Sequence, residues 1–328
     1  MRTRRFGRLG IQVSELVFGG GWVGGILIHR DDDTRREAIR RALADGINWI
    51  DTAPSYGQGQ SEQALGWLLA EIPPERRPHV STKVRLDTAR LDDVEGQVER
   101  SITESLGRLR RDNVDLLILH NRIAAERAPD TVTPDDVLRP GGVLDAMARV
   151  RDRGLTRHLG ITALGETGPC IQVIDSGRVD AAQVYYNLLN PSAARTMRGG
   201  WSAQSFAGII DACRRQDVGI MGIRVLAAGV IATDERHGRE VQIATGSDLD
   251  TETRRAHAAF AALGDGHGTR AQTAIRFALA NGDLSCVVVG MAELDHLDQA
   301  LAAARMGPLP PDALSALERL HDSDFAAS

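Results

Sequence analysis

The sequence predicts an α/β fold of the (β/α)8 kind, a TIM barrel with an N-terminal β-hairpin and an extra C-terminal helix. Three observations predict it. Short apolar, strand-like runs alternate with helical patterns along nearly the whole chain. Eight such runs occur, most of them followed by a helix, and no stretch between them is long enough to mark a second domain. With 328 residues and 42% hydrophobic content, the chain can bury one large core, so residues 1–328 read as a single barrel domain.

Taken in order, residues 2–13 carry Gly7 and Gly10 between short polar and apolar runs and read as a hairpin plugging the barrel bottom. Strand 16–18 follows. Asp33 to Asp45 reads as a helix, with Thr34 and Glu37 at capping-box spacing, Ile39, Ala42 and Leu43 on one face, and Gly46 as its stop. Asn48 to Asp51 is the second strand. Ser61 reads as the cap of a helix bearing Ala64, Leu65, Leu68 and Leu69, which Pro73 and Pro74 end before strand 80–82. Val94, Val98, Ile102 and Leu106 repeat at helical spacing ahead of the apolar strand 116–119.

A helix around Leu144, Met147 and Ala148 then precedes strand 158–162, and a short helix near 169–176 precedes strand 181–185. Phe206, Ile209, Ile210 and Cys213 share a helix face before strand 219–224. Strand 286–289 closes the series. It is followed by a helix carrying Leu294, Leu297 and Leu301, and residues 311–320 form the extra helix. Segments 121–142 and about 226–257 read as long loops on the active face.

Composition excludes several function classes. A net charge of −5 and a pI near 6.0 give no electrostatic reason for nucleic-acid binding. No run approaches the roughly 18 apolar residues of a membrane helix. The basic start, Met1 to Arg8, lacks a following apolar stretch and reads as a solvated segment rather than a targeting signal. Cys170, Cys213 and Cys286 are far apart and odd in number, which points to a reducing, cytoplasmic setting without a disulfide framework. The nine histidines show no HExxH or comparable metal-ligand spacing. Oligomeric state is not encoded in any visible pattern.

The chemistry concentrates at three strand ends. Asp51 ends one apolar run, Tyr56 follows five residues later, and Lys83 and His120 end the next two runs. In a barrel all strand C-termini share one face, so these four side chains can meet in one pocket. Each has a bland role on its own: Asp51 bonding backbone amides, Tyr56 as a loop aromatic, Lys83 snorkelling and His120 as a satisfied buried histidine. Four such groups at consecutive strand ends favour the shared pocket.

These segments resemble the aldo-keto reductase family over almost the full chain. The resemblance rests on Gly46 to Ala53 with Tyr56-Gly57 and Ser61-Glu62, on Ser81-Thr82-Lys83, on Asp115 to His120, and on Gln183 to Asn190. It implies a catalytic tetrad of Asp51, Tyr56, Lys83 and His120. A carbonyl reduction needs a hydride at carbon and a proton at oxygen, and a free tyrosine with a pKa of about 10 is a poor match to neutral pH. Lys83 is therefore expected to lower the Tyr56 pKa, with Asp51 holding the lysine charged and His120 orienting the substrate oxygen.

The resemblance also implies a nicotinamide cofactor, NADP(H) or NAD(H), whose carboxamide lies near Thr162 and Gln183. Ala163 stands where many relatives carry an amide, and Ile223 stands where many place a stacking tyrosine. Arg224 and the backbone after it are expected at the pyrophosphate, and Gly290 and His296 at the adenosine end, where Glu293, Asp295 and Asp298 would repel a 2′-phosphate. Trp22 and Asn121 are the expected substrate contacts. The run Gly160 to Leu164 looks somewhat like the L-galactose dehydrogenase branch. The expected function is reversible hydride transfer between nicotinamide C4 and a small-molecule carbonyl, alcohol or sugar. The alternatives are an oxidative aldose or lactol dehydrogenase and, from another class, a nucleotide-sensing barrel subunit without fast turnover.

Overall fold

The computed structural model describes residues 1–326. Eight parallel strands close into a barrel in chain order: β1 (Leu16–Gly19), β2 (Trp49–Asp51), β3 (His79–Val84), β4 (Val114–Leu119), β5 (Thr156–Ala163), β6 (Ala181–Tyr185), β7 (Gly219–Ile223) and β8 (Cys286–Gly290). The expected (β/α)8 architecture is therefore the observed one. Every residue of β4 is buried, as a strand covered by barrel interior on one face and helices on the other must be. Alternation divides the apolar residues between two layers. Val17, Trp49, Leu116, Ile118, Met221 and Cys286 fill the barrel interior, while Phe18, Ile50, Val80, Leu117 and Leu119 pack outward against the helices.

The outer ring contains α1 (Asp32–Ala44), α2 (Gln60–Ala70), α3 (Val94–Leu109), α4 (Val143–Asp152), α5 (Thr167–Asp175), α6 (Ile209–Arg215), α7 (Arg270–Ala280) and α8 (Leu294–Met306). Two expected caps are corrected. Asp31 caps α1 by accepting from the Thr34 amide, while Glu37 is taken by Arg40 and Arg41. Ser61 is no cap: α2 starts after Gly59 at φ +89°, and the Ser61 hydroxyl lies buried 2.9 Å from that of Thr52. The segment expected as a loop from about 226 to 257 ends sooner, because Leu249–Leu263 is a helix capped by Asp248. Segment 121–142 holds a small parallel pair, Arg122–Ile123 with Thr131–Val132, and a one-turn helix at Pro134–Leu138.

The N-terminal hairpin pairs Thr3–Arg5 with Gln12–Ser14 and closes the barrel bottom. Phe6 is fully buried there, edge-on to Trp49 at 5.1 Å between ring centroids. Gly7 has φ +47°, and a Cβ would fall 2.3 Å from the Gly219 nitrogen, so only glycine allows this close approach. The basic start is solvated only in part: Met1, Arg2, Thr3, Arg5 and Arg8 are exposed, while Phe6 and Gly7 are buried. Arg4 donates to the Leu279, Asn281 and Leu284 carbonyls and to Glu15, and Arg8 donates to Gly177 and Val179. These guanidiniums complete backbone groups left open at the barrel's lower rim. The C-terminal helix, Pro311–Asp322, lies against Leu249–Leu263. Among the described residues no helix is long and apolar enough to cross a membrane.

Candidate active site

The barrel register brings the four titratable residues together. Asp51 lies beside Ser81 across β2 and β3, and Lys83 beside Ile118 across β3 and β4. Residues 81 and 83 are two apart, so both side chains face inward with Asp51. Lys83 Nζ donates to Asp51 Oδ2 at 2.7 Å and to the Thr52 carbonyl at 2.8 Å. Asp51 Oδ1 accepts from Ser81 Oγ at 2.7 Å and from Gln183 Nε2 at 2.9 Å. Asp51, Lys83, Ser81 and Gln183 are all buried, which makes this a closed ionic network beneath the mouth.

Tyr56 and His120 complete the cluster from the rim. Lys83 Nζ lies 4.6 Å from the Tyr56 ring centroid, and the Tyr56 and His120 rings meet edge to face at 6.0 Å. Gly21 lies against the phenol, where a Cβ would sit 3.8 Å from Tyr56 Cζ. Burial raises the phenol above its ordinary value, although Lys83 pulls against it. This reverses the lowering expected from the lysine alone: loss of water around the phenolate outweighs one ammonium that Asp51 already partly neutralises. The Lys83 ammonium is held above its ordinary value, because Asp51 and Tyr56 together outweigh the cost of its burial. Burial, reinforced by Lys83 and Arg85, pushes the His120 imidazole down to about 3. His120 is thus neutral throughout the physiological range.

The remaining candidates divide. Thr162 donates to Gln183 Oε1 at 3.3 Å, so both belong to the same buried network. Ile223 and Arg224 end β7 half-buried, and Arg224 adopts φ +62°. Arg224 lies near enough to Tyr56 for their charges to interact, and its Nη1 donates to the Val241 carbonyl at 2.5 Å. Gly290 is exposed at the end of β8, and His296 lies in the first turn of α8, where Nδ1 accepts from the Ala292 amide at 3.3 Å. Trp22 is exposed at the rim and packs edge-on to His29. Asn121 does not serve the mouth. It is fully buried, its Oδ1 accepts from the Leu86 amide, and its Nδ2 donates to the Leu86 carbonyl and Asp130, so its amide is already consumed.

Several contacts escape a reading of the sequence. Ser81 braces Asp51, and its period-two relation to Lys83 is the signal that could have found it. The loop expected on the active face, here Val225 to Ser247, reaches across the mouth through contacts the sequence does not show: burial and Arg239 depress His29, and Arg122 donates to the Ile243 carbonyl at 2.9 Å. Within it, Arg239 Nε and Gln242 Nε2 are buried without a partner. Around Gly290 and His296, where the sequence leads one to expect an adenosine, Arg30 pairs with Glu293 and Arg41 with Asp298, which offsets much of the repulsion expected there. A cavity of about 680 Å³ opens between the loops that follow β3 and β4, lined by Arg85, Leu86, Thr88, Arg127 and Asp130 among others.

A closed eight-stranded barrel with a buried carboxylate–ammonium pair at one rim defines the class of molecule as a (β/α)8 barrel with a titratable cluster at its C-terminal face. The model described as the Aldo/keto reductase family matches residues 15–322, and the chain belongs to that family. It is an oxidoreductase. It is 27% identical over 315 residues to L-galactose dehydrogenase of Arabidopsis thaliana, covering 92% of this chain and 88% of that one. It is 28% identical over 260 residues to D-threo-aldose 1-dehydrogenase of a Pseudomonas species, covering 70% and 71%. The structure of a holo-form aldo-keto reductase from Bacillus halodurans shares the fold, with a TM-score of 0.74 at 20% identity over 100% of this chain and 98% of that chain.

Proposed function

We propose that this enzyme transfers a hydride reversibly between a nicotinamide cofactor and the carbonyl or alcohol carbon of a small molecule, with Tyr56 as general acid and base. One observation carries the reading: the buried Asp51–Lys83 pair lies directly beneath a phenol whose other neighbour is a neutral imidazole. In reduction, Tyr56 gives its proton to the developing alkoxide while Lys83 stabilises the phenolate left behind. In oxidation the phenolate takes the proton back. Asp51 keeps Lys83 charged and in place. His120, neutral, donates a hydrogen bond that aims the substrate oxygen at Tyr56.

The bound cofactor supplies or accepts the hydride. The donor set of the mouth fits it: Gln183 and Thr162 suit a carboxamide, Ile223 offers an apolar surface, and Arg224 suits a pyrophosphate. Arg239 Nε and Gln242 Nε2, buried and unpartnered, are further donors of the kind such a polar ligand takes. Gly290 and His296 are assigned to the ribose end, where the pairing of Glu293 and Asp298 leaves both NADP(H) and NAD(H) acceptable. A second reading, oxidation of an aldose at its lactol carbon with Trp22 as a substrate wall, is favoured by the names of both relatives.

Parallel binding titrations of NADPH and NADH, followed by a 340 nm assay over aldehydes, ketones and sugars, test the proposal. Tyr56→Phe should keep cofactor binding and lose about 10²–10⁴-fold in turnover. Tight cofactor binding without any Tyr56-dependent turnover across the panel would instead favour the nucleotide-sensing alternative.

A further inference from the structure

At the opposite rim, four arginines surround a second cavity, of about 360 Å³. Arg77, Arg110, Arg111 and Arg157 line it together with Asp112 and Asp115, so four positive charges face two negative ones. Asp115 is buried at the start of β4, and each of its oxygens already accepts one bond: His79 Nδ1 donates to Oδ1 at 2.8 Å, and the Val80 amide to Oδ2 at 2.9 Å. The guanidiniums nearest to it stay outside hydrogen-bond range, Arg157 at 3.6 Å and Arg111 at 3.8 Å. Arg77 and Arg111 bond the Ile72 and Asn113 carbonyls through Nε alone. Among the described residues, the terminal nitrogens of all four make one hydrogen bond, from Arg111 Nη1 to the Pro78 carbonyl at 3.5 Å.

Elsewhere on the same rim the contrast is plain. Arg4 uses both terminal nitrogens on three backbone carbonyls. Arg111 is mostly shielded from solvent, and burial together with the charges of Arg77 and Arg157 holds its guanidinium below its ordinary value. Like charges are thus crowded around a cavity while their strongest donors are unused. Guanidinium forks match the oxygens of a phosphate two at a time, and a dianion would offset the crowding.

We propose that this cavity binds a phosphate group, either free or carried by a small phosphomonoester, at a site separate from the barrel mouth. Arg111 and Arg157 supply paired donors, and Arg77 and Arg110 supply outer contacts. The cavity is large enough for the phosphate and a few carbon atoms of its carrier.

Isothermal titration calorimetry of the full chain with inorganic phosphate and with glycerol phosphate, at fixed ionic strength, separates the two sources. The expected result is saturable binding, weakened about tenfold or more in both Arg157→Gln and Arg110→Gln, whose side chains are exposed enough to be changed without loss of the fold. Arg224→Gln, at the mouth, should leave it unchanged. No saturable binding, or binding lost in Arg224→Gln and retained in the two rim variants, would overturn the proposal. Neither result depends on turnover, so the site stands or falls apart from the catalytic reading.

Discussion

At the C-terminal rim one ammonium, Lys83, is enclosed and bonded to Asp51 and Thr52. At the N-terminal rim four guanidiniums share a cavity with Asp115, whose oxygens accept from His79 and the Val80 amide. The same strands, β3 and β4, run between the two clusters. The upper charges are committed to one another because burial leaves them no alternative: an unpaired ion there costs several kcal/mol. The lower arginines keep partial contact with water, and most of their terminal nitrogens can remain without a protein acceptor. Charge that is internally satisfied shapes a reactive group, whereas charge left unsatisfied invites a ligand.

The strongest way to break this comparison is to unpair the upper cluster. Lys83→Met leaves Asp51 buried without its cation and should cost about 3–5 kcal/mol of stability, while Arg157→Gln should stay within about 0.5 kcal/mol, as an exposed substitution does. Lys83→Met should also lose at least as much turnover as Tyr56→Phe, because it removes the phenolate's stabiliser. Denaturant unfolding and the 340 nm assay read the two effects separately. Equal stability losses in the lysine and arginine variants would end the distinction between the rims.

Phe6→Ala tests the lower rim without touching charge. Removing a fully buried ring from the barrel plug should cost about 3–5 kcal/mol, and turnover per folded molecule should survive. A loss of turnover with full stability would show that the plug reaches the chemistry directly.

Acid sharpens the comparison further. His321 is buried, donates Nε2 to the Leu188 carbonyl at 2.9 Å, and is pushed down to about 4, chiefly by burial. The unfolded chain therefore binds a proton near pH 6.5 that the folded chain refuses until about pH 4, and stability falls as pH drops through that window. The loss is roughly 3 kcal/mol. His120, at about 3, acts in the same direction. Urea unfolding at pH 7 and pH 4.5 should show the decline, with a shallower slope in His321→Gln. An unchanged slope would remove His321 from the acid response.

The barrel and the meeting of Asp51, Tyr56, Lys83 and His120 are legible in the sequence, because each strand end follows an apolar run and parallel strands share one rim. Bonds that join distant segments are not legible. Arg4 bonds a carbonyl 277 positions away, so a local reading leaves it as solvated charge. Asn121 follows His120 and looks available for substrate, yet its amide closes on Leu86 across a neighbouring loop. The Tyr56 shift is likewise misjudged from sequence, since a nearby lysine is visible there and the depth of burial is not.

Ser81 joins the two rims. Its hydroxyl donates to Asp51 and accepts from Trp49 Nε1 at 3.1 Å, and Trp49 in turn packs on Phe6 of the plug. Ser81→Ala leaves the indole N–H buried without a partner, which should cost about 1–3 kcal/mol, while Gln183 and Lys83 still hold Asp51. Turnover should therefore fall only a few-fold, about 1 kcal/mol in barrier, and Ser81→Thr should restore it by returning the hydroxyl. If Ser81→Ala matched Lys83→Met in lost turnover, the brace rather than the ion pair would govern the reactive phenol, and the buried pair would lose its place at the centre of the mechanism.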